Sequence, residues 1–412
     1  MSYIVNWKKE SKVNRINKIF LFILSPFFSL LYSLKSINTK SSFVVVFLFS
    51  ICFGMAFTVS NIRDFNNKND AVSYRADFEM YCLTDGTEYQ RGFNDFISFK
   101  GENKDYYFDT VAFYISRITN NYHVMFFVFS IVFAFFQLKS LKYLVLNNNF
   151  RISLFCILLV YLFAWNQIVN INGMRFWTAA WIGVYCIFKI FYENKSKNFL
   201  LALITPFIHG SFWIFLVMLV VAKFLSKYEK IWIILFIMII IFSNILLELA
   251  QSYSGFIPSF IENEFRHYTD AMYVKQTFDT AGTGLWWVDK VFETLRKLYI
   301  NALIIILIIN RRKILLDIND IRLYRFMLVY TTFSNFGMSI PSFGNRFIIL
   351  SYSIIAFLWL TSFKGLKYNW IIYLFPIAFF MSIYHQINLY NLVTDVYFYI
   401  SSPLILIPEY LF

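Results

Sequence analysis

Apolar blocks of about 17 to 20 residues recur along the chain, divided by short polar joints. A helix of that length crosses a hydrocarbon core of about 30 Å. Within hydrocarbon every backbone amide must be satisfied inside its own segment, so such blocks are helices. Nine read as spans: Phe43–Ser60, Tyr122–Leu138, Ile152–Val169, Met174–Tyr192, Ile231–Leu249, Val291–Asn310, Tyr324–Ile340, Phe347–Phe363 and Tyr368–Tyr384. Three are ambiguous: Ile19–Leu34, Phe199–Leu225 and Val396–Leu411. The pattern predicts an all-α polytopic integral membrane protein, a single domain with about 10–12 transmembrane helices including a broken or re-entrant pair.

Charge then sets the layout. Basic joints lie at Lys139/Lys142/Arg151, Lys189/Lys195/Lys197, Lys223/Lys227/Lys230, Arg311/Arg312/Lys313/Arg322 and Lys364/Lys367. The long polar segment Asn61–Asn121 instead carries 10 of the 24 acidic residues against seven Lys and Arg. Placing the basic joints in the cytoplasm puts Asn61–Asn121 and Ala250–Lys290 outside, with shorter outer turns before Met174, at Pro341–Arg346 and at His385–Asp395. Phe199–Leu225 must then enter and leave on one side. As one helix it would run about 40 Å, and Pro206 and Gly210 offer a break. By the same parity Ile19–Leu34 lies in the interface or dips in as a hairpin bent at Pro26; a simple span with an external N-terminus is the alternative.

Composition agrees: 59% of the residues are hydrophobic and only 15% charged, where a soluble domain carries roughly a quarter. The basic start MSYIVNWKKESKVNRINK leads to no small-residue cleavage site, so no cleavable signal is expected. A net charge of +13 does not point to nucleic acid, because the cations sit in short joints as topology determinants. Cys52, Cys156 and Cys186 lie in apolar blocks and Cys82 in a polar loop, without CxxC spacing, which predicts unpaired thiols and no metal site. P-loop, GxSxG, HExxH and DxD patterns are absent.

The informative residues are those that are costly in place. An arginine near a bilayer centre costs about 3 kcal/mol on insertion scales, so one that persists faces a cavity or a partner. Arg175 (NINGMRFWTAA) and Arg346 (PSFGNRF) each head a span on the outer side, and Arg266 (ENEFRHY) lies in the second outer loop. Converging, they would fork onto phosphate or pyrophosphate oxygens; singly, each also fits an interfacial anchor. His209 (ITPFIHGSFW) is placed to accept a proton or to pin a helix break. His267 would share the ligand of Arg266 or be solvated. Asp70 and Tyr74, four apart, share a helix face near the membrane, where a carboxylate can activate a hydroxyl or orient a sugar. Asp77 and Glu79 read as solvated.

Asp70-x-x-x-Tyr74 after the first firm span, DYYFDTVAFYISRITNNYHVMFFVFSIV, NINGMRFWTAA, FIHGSF and a late NRF, in that order, resemble the Wzy-type polysaccharide polymerases, specifically the EpsG-like branch, from about residue 43 to about residue 360. The family's frequent Arg-Gln pair reads Arg175-Phe176 here. The resemblance implies a glycosyltransferase that joins undecaprenyl-pyrophosphate-linked oligosaccharide repeats at the outer face of the bacterial cytoplasmic (inner) membrane, for O-antigen, capsule or exopolysaccharide. Arg175 and Arg346 would stabilise the departing pyrophosphate, and His209 and Asp70 compete as base, with His209 preferred on the residues alone. Tyr74, Arg266, His267, Asn172, Trp286 and Trp287 are expected substrate contacts, the two tryptophans as sugar platforms. The activated donor supplies the energy, so no cofactor is expected. The expected partners are lipid-linked glycans, the bilayer and a chain-length regulator in the membrane, but no nucleic acid. Two rivals are a lipid-linked oligosaccharide flippase, which would show two similar halves, and a membrane acyltransferase, which would cluster His and Arg on the cytoplasmic side. A ligase passing finished glycan to lipid A core is a close chemical cousin.

Overall fold

The computed structural model describes residues 7–59, 70–98, 100, 105–252, 286–340, 343–363 and 368–411. Among these there are helices and turns but no strand, and the chain is an all-α polytopic membrane protein. Three helical stretches are long and apolar enough to cross a membrane: Tyr122–Val145, Leu154–Tyr192 and Gly344–Ser362. The pair Asn369–Ala378 and Phe380–Val393, bent by 53°, makes a fourth if taken as one span. Several other apolar blocks are broken or short, and the breaks shape the molecule.

The chain opens with α1 (Lys12–Leu24) and α2 (Pro26–Leu34), which fold back on each other. Neither is long enough to span: at 1.5 Å per residue they run about 20 and 14 Å. Ser25 caps α2 through Phe28 N–H, and Pro26 fits the first helical position, where an amide would be orphaned anyway. The buried Lys18 ammonium ties α1 to the start of α3 (Lys40–Met55) through Thr39, Ser41 and Ser42 at 3.0, 2.9 and 2.7 Å, and it pairs with Glu10. The polar segment beyond α3 contains α4 (Asp70–Leu83), α5 (Thr87–Ile97) and α6 (Tyr107–Ser116). Next comes α7 (Tyr122–Val145), packed on α3. Their approach is close at Gly54, where a Cβ would stand 2.3 Å from the Ser130 side chain, the small-residue contact that apolar helices use in lipid.

The expected span Ile152–Val169 is helical only over α8 (Leu154–Phe163); a 3₁₀ turn, Ile168–Gly173, then leads into α9 (Met174–Ile187). Side chains take the carbonyls freed at this break. Ser353 Oγ donates to Phe163 O at 2.7 Å and Gln386 Nε2 to Trp165 O at 3.2 Å. Gln137 Nε2 and Trp181 Nε1 both donate to Asn166 O at 3.0 Å. Such replacement is what lets a helix stop inside a membrane. Phe199–Leu225 is in three pieces, α10 (Phe199–Ala202), α11 (Thr205–Ile208) and α12 (Phe212–Leu225). Lys223 Nζ donates to Ser196 Oγ at 3.2 Å, so the two ends of this segment lie side by side.

Four long helices follow: α13 (Glu229–Ser252), kinked at Phe242, α14 (Trp286–Ile314), α15 (Ile318–Phe336) and α16 (Gly344–Ser362). α15 packs between α12, α13 and α16. The fully buried Tyr330, Tyr352 and Trp359 of α15 and α16 lie in the core, and Trp181 of α9 packs in it against Phe133 and Phe163. The chain ends with α17 (Phe375–Ala378), α18 (Phe380–Val393), α19 (Val396–Ile400) and α20 (Pro403–Leu411). The expected turn His385–Asp395 is helical as far as Val393, because Gln386 and Tyr390 reach across to Trp165 O and Gln167. The break at Ser401–Ser402 meets the tip of the first hairpin. Ser25 Oγ donates to Tyr399 O at 2.8 Å, Ser402 Oγ donates to Ile23 O at 2.6 Å, and Phe27 stands edge-on to Tyr399.

α9 gives the bundle two distinct ends. Arg175 is in its first turn; Lys189, beyond its last, pairs with Glu193 at 2.7 Å, and Lys195 holds the same carboxylate at 2.5 Å. Those ends are about 21 Å apart along the helix.

Candidate active site

The polar residues converge at the Arg175 end, where Asp105, Tyr106 and α6 meet the break at 205–211. Two backbone contacts make the seam. Tyr106 N–H donates to Phe207 O at 3.1 Å, and Gly210 N–H donates to Asp105 Oδ2 at 3.2 Å. The break between α11 and α12 thus supplies an orphan carbonyl and an orphan amide, and the polar segment satisfies both.

Asp105 is the hinge of the cluster. Its second oxygen accepts from Arg175 Nη1 at 3.1 Å, while Arg175 Nε donates to the Tyr74 hydroxyl at 3.2 Å. The guanidinium also lies 5.5 Å from the centre of the Tyr74 ring. Burial raises the Asp105 carboxyl above its ordinary range, against the pull of Arg175 and the Gly210 amide. Burial likewise raises Tyr74, which stays a neutral phenol in contact with the cation. Asp70, one turn before Tyr74 on α4, points toward the 3₁₀ turn; a Cβ on Gly173 would stand 3.5 Å from Asp70 Oδ2. Asp70 is exposed and its carboxylate accepts no hydrogen bond among the described residues. In the same turn Asn172 Oδ1 is buried and has no partner among them.

Phe176 carries the other half. His209 stands edge-on to its ring at 5.3 Å, Phe212 and Phe347 pack on it at 5.3 and 5.4 Å, and the Arg346 guanidinium lies 5.7 Å from its centre. His209 and Arg346 thus share the Phe176 ring, one residue along α9 from Arg175. Arg346 is half-buried and has no carboxylate partner among the described residues. Its helix start is fixed by Gly344, where a Cβ would fall 2.3 Å from Gly337 C and Met338 N. On the imidazole, Nδ1 accepts from Ser211 N–H at 3.3 Å and lies 2.8 Å from Ser211 Oγ. That pattern assigns the proton of the neutral ring to Nε2.

The structure therefore brings together Asp70, Tyr74, Asn172, Arg175, His209 and Arg346. Trp287, 54% exposed, lies in the first turn of α14 and has no hydrogen bond or ring contact with them among the described residues. Trp286 precedes it in the same helix, and Arg266 and His267 lie outside the described residues. Sequence reasoning passed over Asp105, which stands within DYYFDT just before α6, and Ser211. The signal for Asp105 was an acidic residue directly before an aromatic helix start in a membrane-edge loop. Phe176 is a ring shelf between His209 and Arg346.

These features define a multi-pass membrane protein with an arginine-rich polar site sealed to a broken helix. The sequence model of the EpsG family matches residues 65–401, and the chain belongs to that family. No curated protein and no solved structure matches it. Membership supports a polysaccharide polymerase-type function, that of a polymerase-type glycosyltransferase in a membrane.

Proposed function

We propose that the protein polymerises glycan repeats carried on undecaprenyl pyrophosphate, with the Arg175 end facing outside the bacterial cytoplasmic membrane. The observation that carries this is Arg346: a guanidinium without an acidic partner among the described residues, held on Phe176 beside His209 in the cluster of Arg175. A cation kept uncompensated at such a site matches a ligand that brings its own negative charge.

In the proposed reaction a hydroxyl of the acceptor's distal sugar attacks the anomeric carbon of the donor chain. A new glycosidic C–O bond forms, the bond from that carbon to the pyrophosphate oxygen breaks, and the lipid pyrophosphate leaves with the electron pair. Arg346 and Arg175 stabilise the charge that builds on it, and Asp105 positions Arg175. The neutral Nε2–H of His209 is a donor in the same cluster. The hydroxyl proton goes to Asp70, a carboxylate of the cluster that accepts no hydrogen bond among the described residues. Asn172 offers its unpaired carbonyl to a sugar hydroxyl. The outward orientation rests on the basic ends lying opposite the cluster.

Glycan length in a strain lacking the gene tests the reading. Carriers holding one repeat unit are expected. Full-length chains would overturn the proposal, with missing acyl groups pointing to an acyltransferase; absence of any surface glycan would point to a flippase or a ligase.

A further inference from the structure

At the end of the bundle opposite Arg175, a cavity of about 600 Å³ opens between the starts of α13 and α15 and the end of α14. Lys227, Lys230, Arg311, Arg312 and Arg325 line it against one carboxylate, Glu229. That carboxylate is already engaged: Arg311 Nε donates to one oxygen, and Arg325 stands 3.7 Å from the other. Lys230 and Arg312 have no partner among the described residues. Deeper in, Tyr324 is 1% exposed and its hydroxyl makes no hydrogen bond; Arg325 Nε, the atom 3.7 Å from Glu229, makes none either.

Cations at a cytoplasmic end are ordinarily solvated topology determinants. A buried Tyr324 hydroxyl left without an acceptor, beside an Arg325 Nε that reaches Glu229 only at 3.7 Å, is not explained that way, because an unmade buried hydrogen bond is costly. Apart from Glu229, every polar side chain lining the cavity is a donor, so the matching ligand is an acceptor-rich anion. Its source is marked by the neighbouring surface. Ile231 at the rim begins an exposed apolar stripe on α13, continued by Ile234, Met238 and Ile241 at helical spacing. The cavity fits a phosphate group, and the stripe fits an acyl chain leaving it.

We propose that this cavity binds the phosphodiester headgroup of an acidic phospholipid. The inference is independent of the glycan chemistry at the other end. The test uses the full-length protein purified in neutral detergent, with retained lipids counted by native mass spectrometry after addition of dioleoylphosphatidylglycerol or dioleoylphosphatidylcholine. The wild type is expected to retain the acidic lipid about tenfold more than the zwitterionic one, because the choline cation that accompanies the same phosphodiester is repelled by the Lys and Arg lining. Lys230→Gln combined with Arg312→Gln abolishes the preference. Tyr324→Phe weakens retention without lowering Tm, because its hydroxyl has no protein partner to lose; a purely structural tyrosine would lower Tm instead. Equal retention of the two lipids, or an unchanged preference in the double variant, overturns the proposal. So does a Tm rise with inorganic phosphate in a protein that shows no lipid preference, which would assign the cavity to a soluble anion.

Discussion

At the scale of single residues, the two site arginines are held differently and should fail differently. Arg346 rests on a ring and pairs with no carboxylate among the described residues, so Arg346→Ala should leave Tm nearly unchanged. Its loss should cut turnover about 100-fold, the usual effect of one electrostatic donor to a leaving group. Asp105→Asn removes the charge that orients Arg175 and should lower both Tm and turnover, by about 1–2 kcal/mol in stability after allowing for the partial exposure of Arg175. Thermal unfolding and polymerisation by purified protein with a synthetic lipid-linked acceptor separate the two cases; a large Tm loss for Arg346→Ala would show that it is structural. The same assay decides the base. With Nδ1 of His209 occupied by Ser211, Asp70→Asn is expected to slow turnover about 100-fold, within the general-base range. His209→Gln should have the smaller effect. The reverse ranking would return the base role to the imidazole.

Among the elements, the breaks rather than the spans decide where chemistry sits. Gly344 is the clearest case, because the atoms a side chain would strike are backbone and cannot swing away. Gly344→Ala should therefore displace the start of α16 and cost as much turnover as Arg346→Ala, although Arg346 is still present; wild-type turnover would show that the start is loosely held. The apolar blocks were legible because burial in lipid demands long runs, and Pro206 and Gly210 marked the break in Phe199–Leu225. The early end of α8 was not legible. Its carbonyls are satisfied by Ser353, Gln386, Gln137 and Trp181, distant in sequence, and no local pattern announces such partners. Asp105 was hidden for the same reason, since its role exists only once the polar segment meets the break.

For the whole molecule, the separation between the Arg175 cluster and the basic cavity makes a statement about sidedness. In a Cys82→Ser background, Arg91→Cys should react with an impermeant maleimide added to intact spheroplasts, and Leu316→Cys only after lysis. Labelling of Leu316→Cys from outside would invert the orientation and place the proposed reaction in the cytoplasm. Residue order had suggested that Asp70, Arg175, His209 and Arg346 share a purpose. What the sequence lacked was depth: how far each end of a broken segment travels, and so which of the candidates meet.

The meeting of the first hairpin with the last break bears on how the protein is made. Ser25 and Tyr399 are 374 residues apart, and their hydrogen bond cannot form until Tyr399 has emerged. At about 5–20 residues per second that is a delay of roughly 20–75 s. Through that interval the donor side of the Ser25 hydroxyl and the carbonyl of Ile23 lack the partners they have in the folded protein, and unsatisfied polar groups are poorly tolerated in lipid. The earlier-translated partner should therefore settle only with the later one, waiting near the aqueous surface for its counterpart. A cysteine at position 25 in chains stalled before residue 399 should remain open to a water-soluble thiol reagent and become protected once Ser402 and α20 have been added; early protection would mean that the tip is sheltered by something other than the end of its own chain.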